Sequence, residues 1–499
     1  MDYKSTRNSA LRVTSAQAIA QGISKDGGLF VPAQIPALTE NDIKALCDMT
    51  YIERAESILL QYLTDFTLDE VKQCAQEAYG NGTFDDDIPA PLARLGKNAY
   101  MLELWHGPTC AFKDMALQIL PHLLTVSAKK TISGKEVVIL VATSGDTGKA
   151  ALEGFKDVPG TRIMVFYPQD GVSEMQRLQM ITQAGENVYV CAVNGNFDDC
   201  QRGVKRIFTD SETVETLSEN GLVFSSANSI NWGRLLPQIV YYISAYCDLV
   251  KDECIRLGDS INVVVPTGNF GNILAAYYAK QMGLPIARFI CASNSNKILT
   301  DFLNTGMYDT NRPFYTTISP SMDILVSSNL ERLLYHLSGN DDTYVTSCMS
   351  ALSDSGRYEV KPEIMDKLTE LFVGGYCDEE STKATVRSLF DKYAYVADTH
   401  TAVAYKVYAD YVRETGDKAV TVIASTANAY KFPASVYEAI SGETENASEF
   451  ELAQKLSQKT GTDIPAQLQG LQNRKIRFEA CCNSDKMRDA VYAYLGIKA

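Results

Sequence analysis

Lys113 is the residue of this sequence whose setting best suits covalent chemistry. Residues 106–114 read His-Gly-Pro-Thr-Cys-Ala-Phe-Lys-Asp and lead from an apolar strand into the start of a helix. The three apolar residues before the lysine are expected to lower the pKa of its amine by desolvation, and a neutral amine condenses with an aldehyde to form a Schiff base. A lysine at the start of a helix is usually a solvated surface charge. A reactive role therefore needs support from elsewhere in the chain.

Two later stretches have the composition of anion-binding loops. In each, an apolar strand runs into a glycine-bearing loop that precedes a helical stretch. Backbone N–H groups at a helix N-terminus favour an anion, and glycine lets the backbone approach it closely. We expect the second loop to bind a phosphate group and the first to bind another anion. The first loop contains Thr143, Ser144, Gly145, Asp146 and Thr147, and the second contains Gly268, Asn269, Phe270, Gly271 and Asn272.

The first loop also has a partial likeness to the phosphate loop of NTPases, because it ends in Gly148-Lys149. That loop requires glycine where Thr143 stands and serine or threonine where Ala150 stands, so two of its positions fail. The remaining alternative for either loop is a strand-to-helix turn without a ligand, since Gly and Asn also fill plain turns.

Four further positions in three stretches are candidates for a binding role. Asn231 and Arg234 begin an apolar helix that extends to about residue 246, and Arg234 is suited to hold an anion through two hydrogen bonds. Alternatively, Asn231 caps this helix and Arg234 pairs with a surface acid. Thr426 follows an apolar strand, at the end where open α/β sheets bind ligands, although its hydroxyl also suits a local backbone hydrogen bond. Asp398 begins a stretch that either lines a cleft or caps a helix.

Composition and charge narrow the function classes. The chain has 499 residues, which allows two to four domains, and 45% hydrophobic with 21% charged residues is ordinary for a soluble globular protein. A net charge of −15 argues against a nucleic-acid partner. The sequence shows neither a signal peptide nor an apolar run of the ~20 residues that cross a bilayer. Twelve scattered cysteines and four histidines suit reduced thiols in a cytoplasm and no metal site.

The order of apolar segments predicts an α/β protein. Strands alternate with helical stretches, which is typical of parallel-rich sheets covered by helices on both faces. The predicted strands are 100–105, 136–142, 162–167, 188–193, 261–265, 288–291 and 419–424.

The amino-terminal region is predicted to be mostly helical, and the carboxyl-terminal region also contains predicted helices. Near the amino terminus we expect a helix capped by Ser15 and an amphipathic helical segment over 42–62. Near the carboxyl terminus we expect a helix capped by Ser484 that runs to residue 495. We therefore predict an N-terminal domain over 1–85, a catalytic α/β core of two subdomains over 86–440, and a C-terminal α/β extension over 441–499 that packs on the core.

Taken together, these motifs resemble the threonine synthase family over most of the chain. The shared features are a lysine after His-Gly-Pro-Thr, a Thr-Ser-Gly-Asp-Thr-Gly loop, a Gly-Asn-Phe-Gly-Asn loop and a late Ser-Thr pair. The stretches at 3–7 and 26–32 also resemble that family's amino-terminal pattern. The resemblance implies a pyridoxal-phosphate-dependent lyase of fold type II, the tryptophan synthase β-like fold, acting in threonine biosynthesis.

The resemblance also implies a role for each part of the site. Lys113 would form a Schiff base with pyridoxal 5'-phosphate, residues 268–272 would hold the cofactor phosphate, and Thr426 would face the pyridine nitrogen. O-phospho-L-homoserine would lose phosphate from its γ-carbon and take up water at its β-carbon to give L-threonine. The loop over 143–147 would bind the substrate carboxylate or phosphate, with Asn231 and Arg234 as partners for the second anion. The oligomeric state would be a monomer or a dimer.

Because of two departures from the family pattern, the resemblance does not fix the identity of the substrate. Many relatives have His-Pro-Ala-Lys-Phe after Ser-Thr-Ala, whereas residues 428–432 here read Asn-Ala-Tyr-Lys-Phe, and Asn8 stands where glycine is more usual. One alternative is therefore a phospholyase that acts on a phosphorylated hydroxyamino acid. Another, of a different class, is a non-catalytic or nucleotide-binding α/β protein that uses its glycine loops structurally.

Overall fold

The amino-terminal part combines a small antiparallel sheet with four helices. The computed structural model describes residues 1–80, 82–132, 134–170 and 172–498. Strand β1 is the centre of the small sheet, with the order β2-β1-β3. The elements here are β1 (Tyr3–Ser5), β2 (Asn8–Val13), α1 (Ser15–Gln21), β3 (Phe30–Pro32), α2 (Glu40–Cys47), α3 (Tyr51–Tyr62) and α4 (Leu68–Tyr79).

Two large sheets form the body of the molecule. The elements up to residue 225 are β4 (Leu92–Leu95), β5 (Ala99–Glu103), α5 (Asp114–Leu117), α6 (Leu120–Thr131), β6 (Glu136–Ala142), α7 (Asp146–Phe155), β7 (Thr161–Pro168), α8 (Glu174–Ile181), β8 (Val188–Asn194), α9 (Phe197–Thr209), α10 (Ser211–Glu219) and β9 (Leu222–Ser225).

The remaining elements complete both sheets and their covering helices, and β12 and β13 form a separate two-stranded antiparallel sheet. They are α11 (Trp232–Leu235), α12 (Pro237–Lys251), β10 (Ile261–Pro266), α13 (Gly271–Gln281), β11 (Ile286–Ser293), α14 (Ile298–Thr305), β12 (Met307–Asp309), α15 (Leu330–Leu337), α16 (Asp342–Ser355), β13 (Arg357–Glu359), α17 (Pro362–Leu371), β14 (Phe372–Tyr376), α18 (Glu379–Tyr393), α19 (Thr399–Thr415), β15 (Thr421–Ser425), α20 (Pro433–Ser441), α21 (Glu449–Thr460), β16 (Cys481–Asn483) and α22 (Met487–Leu495).

The sheet order brings the ends of separate strands together. One sheet has the order β14-β11-β10-β15-β5-β4 and is parallel except for the β4–β5 pair. The other has the order β16-β8-β7-β6-β9 and is parallel throughout. Because β10, β15 and β5 are neighbours, the loops that follow them share one edge of the sheet. Parallel sheets covered by helices agree with the predicted fold class.

Buried aromatic rings join the amino-terminal part to the core. The ring centroid of Trp232 in α11 lies 5.5 Å from that of Tyr3, 5.6 Å from that of Tyr62 and 5.3 Å from that of Tyr278. All four side chains are buried, and pairs at these separations stabilise a core beyond the area that they bury. Since Tyr278 belongs to α13, the amino-terminal part supports the helix that follows the second glycine loop.

The structure corrects three predictions about helices. The segment 42–62 is two helices, because Thr50 starts α3 with a capping box that includes Glu53 and so ends the preceding turn. Thr14, not Ser15, caps α1. Ser484 caps nothing, since residues Ser484–Lys486 form a 3₁₀ turn and α22 begins at Met487. Asp398 does cap α19, accepting hydrogen bonds from the backbone N–H groups of His400 and Thr401.

The described helices include none that combines the length and the apolar character needed to cross a bilayer. The predicted strands all overlap observed ones, and their ends differ from the observed ends by at most two residues. The division into three domains stays a prediction.

Because α5 and α7 pack closely at Gly154, we expect a larger residue at this position to destabilise the protein. Alanine is normally favoured over glycine inside a helix by about 1 kcal/mol. A Cβ on Gly154 would, however, lie 1.9 Å from the carbonyl oxygen of Leu117, so Gly154→Ala should destabilise the protein by about 1 to 3 kcal/mol.

Urea unfolding measures this change, with Ser350→Ala on the exposed face of α16 as a control. The control should be neutral or slightly stabilising, since alanine has the higher helix propensity. A Gly154→Ala protein at least as stable as the native chain would contradict the close packing.

Candidate active site

The amine of Lys113 lies in a buried pocket at the start of α5. The side chain is buried, its Nζ atom lies 4.7 Å from the centroid of the Phe112 ring, and it donates a hydrogen bond of 3.3 Å to Ser321 Oγ. A carboxylate oxygen of Asp146 is 3.6 Å away. Lys113 is therefore not a solvated surface charge.

Burial tunes this amine towards its neutral form. Desolvation lowers the pKa of Lys113 to about 8, the negative charge of Asp146 opposes this shift, and the positive charges of Arg234 and Lys431 reinforce it. At pH 8 about half of the amines would be neutral, which is the form that attacks a carbonyl carbon.

The loop over 143–147 approaches Lys113 from the end of β6. The hydroxyl of Thr143 accepts hydrogen bonds of 2.9 Å from the backbone N–H groups of Gly145 and Gly148, which fixes the turn. Gly145 has φ 136°, and a Cβ there would meet the Gln176 side chain at 2.4 Å, so glycine is required. Ser144 and Thr147 are the half-buried residues of this loop, and their hydroxyls face no hydrogen-bonding partner among the described residues.

The side chain of Asp146 is not placed to bind an anion. Its side chain is buried, and its carboxylate lies 2.9 Å from Lys431 Nζ and accepts a hydrogen bond of 3.0 Å from Gln176 Nε2. Burial raises the pKa of this carboxyl, but Lys431 and Lys113 outweigh burial and hold the pKa below its usual range. The side chain thus carries a negative charge, which would repel an anion. An anion in this loop would instead meet the backbone and the hydroxyls.

The second glycine loop forms a cradle at the N-terminus of α13. Phe270, the residue before the helix, has left-handed backbone geometry with φ 61° and supplies no side-chain cap. A Cβ on Gly268 would lie 2.6 Å from the carbonyl oxygen of Ser321. Since Lys113 also contacts Ser321, the loop and the lysine lie on either side of the same short turn.

This cradle suits a phosphate group. The first N–H groups of a helix without a side-chain cap are free to bind an anion, and the helix dipole favours it. Asn272 adds an amide Nδ2 atom that is buried and has no hydrogen-bond partner among the described residues, while its Oδ1 accepts from the Tyr242 hydroxyl. A buried donor left without a partner is costly, so a bound anion within its reach would compensate for it.

A buried arginine holds the cradle in place. Asn329 Nδ2 donates a hydrogen bond of 2.9 Å to the carbonyl oxygen of Asn269. Asn329 in turn accepts 2.5 Å from Arg332 Nη1, and Arg332 Nε donates 3.0 Å to the carbonyl oxygen of Phe30. The cradle is thus tied to strand β3 of the amino-terminal part.

Thr426 lies beside residues 106–113, the loop that carries Lys113 and is called the lysine loop below. Its carbonyl oxygen accepts a hydrogen bond of 2.8 Å from the N–H group of Phe112, and its own N–H group donates 3.3 Å to the hydroxyl of Thr401. The side chain is buried, and its hydroxyl has no hydrogen-bond partner among the described residues. The hydroxyl is accordingly available to a ligand.

Asn231 and Arg234 occupy the start of α11. Asn231 caps the helix, accepting 2.9 Å from the N–H group of Gly233, and its Nδ2 donates to the carbonyl oxygens of Ile19 and Ser226 at 3.0 and 2.8 Å. Both ends of the amide are engaged, as in the capping alternative. Arg234 is buried, donates 2.8 Å to the carbonyl oxygen of Ala227 and affects the pKa of Lys113, so it does not pair with a surface acid.

Two residues that the sequence did not single out belong to this site. Ser321 accepts the hydrogen bond of Lys113, and its N–H group donates 3.2 Å to His400 Nε2. Lys431 is completely buried beside Asp146. Ser321 lies in no glycine-rich or periodic stretch. Lys431 keeps the lysine of the family stretch over 428–432, but nothing in that stretch predicts its contact with Asp146.

Family models cover nearly the whole chain. The model "Pyridoxal-phosphate dependent enzyme" matches residues 87–426, "Threonine synthase N terminus" matches 2–79, and "Threonine synthase, C-terminal" matches 401–491. The protein is therefore a pyridoxal-phosphate-dependent enzyme of fold type II, with parallel sheets and a buried lysine.

Individual relatives narrow this class. Human "Threonine synthase-like 1" is 42% identical over 435 residues, which are 85% of this chain and 58% of that protein. Threonine synthase of Pseudomonas aeruginosa is 38% identical over 441 residues, 88% of this chain and 90% of that protein. The chain belongs to the threonine synthase family. It spans somewhat over half the length of the threonine synthase-like 1 proteins that it matches.

Solved structures agree with this membership. The structure of PLP-bound threonine synthase from Brucella melitensis matches with a TM-score of 0.87 and 36% identity, over 99% of both chains. Yeast threonine synthase matches with a TM-score of 0.87 and 32% identity, over 99% of both chains. The predicted family, the fold class and pyridoxal phosphate as cofactor are confirmed.

His106, at the start of the lysine loop, is expected to make the stability of the protein depend on pH. His106 Nδ1 lies 2.6 Å from Asp85 and Nε2 lies 2.9 Å from Glu103, while the ring stacks on Trp105 at 4.1 Å. Burial disfavours the charged ring, but the two carboxylates outweigh burial and raise the pKa of His106 to about 9.

The stability that charged His106 contributes should be fully present below about pH 6.5 and lost as the pH rises through about 9, because the folded pKa exceeds the unfolded one. With Asp85 partly exposed, we expect a loss of the order of 1 kcal/mol. Urea unfolding of the native chain and His106→Gln at pH 6, 8 and 10 measures it. The variant lacks the titrating ring, and all other titrating groups are common to both proteins. Their contributions therefore cancel in the difference between the two free energies of unfolding. If that difference did not change with pH, the ion pairs of His106 would be contradicted.

Proposed function

We propose that this protein is a threonine synthase that converts O-phospho-L-homoserine and water to L-threonine and phosphate. The carrying observation is the placement of a partly neutral, buried Lys113 amine between a phosphate cradle and a second anion-binding loop. The family membership supports the same reaction class.

Lys113 would act as the anchor of the cofactor and as a proton carrier. Pyridoxal phosphate, when bound, withdraws electrons from the carbon atoms of an attached amino acid and so makes their protons labile. An amine with a pKa of about 8 accepts and returns protons near neutral pH. Once the substrate amine has displaced it, Lys113 would take the proton from the substrate α-carbon and deliver it again.

Gly268, Asn269, Phe270, Gly271 and Asn272 would hold the cofactor phosphate. Their N–H groups at the start of α13, with the unpaired Nδ2 of Asn272, supply donors without a positive side chain. Thr426 would offer its hydroxyl to the pyridine nitrogen. A neutral hydroxyl stabilises a protonated ring less than a carboxylate does, so control of the reaction would depend more on positioned groups.

The loop over 143–147 would bind the substrate carboxylate or phosphate. The half-buried hydroxyls of Ser144 and Thr147 and the N-terminus of α7 offer donors, whereas the Asp146 side chain is turned to two lysines. Arg234 would contribute positive potential for the second anion, because it is buried and acts electrostatically on Lys113.

One observation favours a second candidate, a phospholyase that acts on a phosphorylated hydroxyamino acid. The residues after Thr426 that differ from the family pattern lie against the lysine loop. The N–H group of Asn428 donates a hydrogen bond of 3.0 Å to the carbonyl oxygen of Cys110. A change at Asn428 is therefore placed to alter how the substrate sits beside Lys113.

The products decide between the two candidates. Incubation of the purified protein with O-phospho-L-homoserine should release L-threonine and phosphate in equal amounts, measured by amino-acid analysis and a phosphate assay. Formation of 2-oxobutyrate and phosphate without threonine would favour the phospholyase. Absence of both products and of a cofactor absorption band would contradict both.

Lys113→Ala should abolish turnover and leave a folded protein, since the lysine serves the pocket rather than the core. Activity and circular dichroism measure the two effects, with Lys97→Ala at an exposed position as the matched control. Borohydride reduction followed by peptide mapping should modify Lys113 in the native chain. Residual turnover close to that of the control would remove Lys113 from the reaction.

Thr426→Ala should weaken binding of pyridoxal phosphate by about tenfold, the loss of one hydrogen bond to a buried ligand. Titration of the cofactor-free chain with pyridoxal phosphate, followed by absorbance, gives the affinity. Thr426→Ser keeps the hydroxyl and should bind nearly as well as the native chain. Equal affinity of all three proteins would place Thr426 outside the cofactor site.

A further inference from the structure

Lys431 is a charged residue that is completely buried next to the catalytic pocket. Its Nζ atom donates 2.8 Å to the carbonyl oxygen of Thr109 and 3.3 Å to Gln179 Oε1, and it lies 2.9 Å from Asp146 Oδ1. These three partners belong to the lysine loop, to α8 and to the start of α7. A buried ammonium group with three acceptors is held in one position.

The carboxylate of Asp146 stands between two lysines. Its Oδ1 atom contacts Lys431 at 2.9 Å and Gln176 Nε2 at 3.0 Å, whereas its Oδ2 atom is 3.6 Å from Lys113. The closer and better hydrogen-bonded partner is thus Lys431. Without it, no other positive group among the described residues would share Asp146 with Lys113 by direct contact.

Two effects of Lys431 on Lys113 act in the same direction. Its positive charge disfavours a second positive charge nearby, and its hold on Asp146 keeps that carboxylate from a closer pairing with the amine of Lys113. The other charged groups at these lysines are Arg234, which acts on Lys113, and Asp114, which accepts hydrogen bonds from Thr109 and feels the charge of Lys431.

We propose that Lys431 is a positioning residue: it holds Asp146 at the edge of the pocket, at a distance that leaves the amine of Lys113 free to react. This inference rests on the proposed role of Lys113 as the reactive amine. Lys431 also keeps a counter-charge on Asp146 when Lys113 is covalently engaged and no longer supplies one, so the buried carboxylate is never left without a cation.

The test measures the proton affinity of Lys113 directly, in the full chain freed of cofactor by dialysis against hydroxylamine. Trace labelling with acetic anhydride from pH 6 to 11, followed by peptide mass spectrometry, gives the pKa of Lys113 from its labelling rate. In the native chain the midpoint should fall near 8.

In Lys431→Met the midpoint should rise by about one pH unit or more, because the repelling charge is gone and Asp146 is free to pair with Lys113. Labelling at pH 7.5 should then fall by about tenfold or more, since each pH unit changes the neutral fraction tenfold. Lys431→Arg keeps the charge and should restore a midpoint near the native one. An unchanged midpoint in Lys431→Met, or an equal rise in Lys431→Arg, would overturn the inference.

A second variant covers the case in which Lys431→Met does not fold, as judged by circular dichroism. Asp146→Asn removes the carboxylate, keeps Lys431 and should lower the midpoint of Lys113 below the native value. An unchanged or raised midpoint would overturn the inference.

The labelling needs neither substrate nor cofactor. Failure of the native chain to form threonine would contradict the proposed function alone, while the labelling midpoints still decide the role of Lys431.

Discussion

The removal of the Lys113 amine from water is the constraint on which the rest of the site depends. Desolvation brings the pKa of this amine to about 8, and the same burial obliges the protein to supply partners for its charged form. Ser321 and Asp146 are those partners, at 3.3 and 3.6 Å. Both contacts are longer than a strong ion pair, so the amine is kept in place without being fixed in its protonated form.

The fold meets this constraint by bringing loops from separate strands to one place. The second glycine loop follows β10 and Thr426 follows β15, both in one sheet, while the first loop follows β6 in the other sheet. The amino-terminal part contributes to the site through packing and one hydrogen bond. It packs on Trp232 and accepts the hydrogen bond of Arg332, and through these contacts it stabilises the second glycine loop. Loss of these contacts would therefore destabilise the second glycine loop, although the contacts themselves do not involve Lys113.

Local charge balance also separates this pocket from the rest of the surface. The chain carries a net charge of −15, which by itself would repel the anionic pyridoxal phosphate. Three basic side chains, Lys113, Arg234 and Lys431, are buried near two acidic ones, Asp146 and Asp114, so basic groups outnumber acidic ones here. Helix N-termini at both glycine loops add partial positive charge. Anions are thus favoured inside an otherwise acidic protein.

The features visible in the sequence are those with a local cause. Apolar strands, glycine loops at the ends of strands and the apolar residues before Lys113 are patterns of neighbouring residues, and the strands and loops lie close to where they were predicted. The break at Thr50 and the cap at Thr14 depend on which of several capable residues bonds to the next turn, so nearby alternatives compete. Only the tertiary structure places Ser321 against Lys113 and Lys431 against Asp146. Ser321 and Lys113, for example, are 208 residues apart in the sequence. Such contacts arise from packing of distant elements, and burial then gives an ordinary serine or lysine its chemical role.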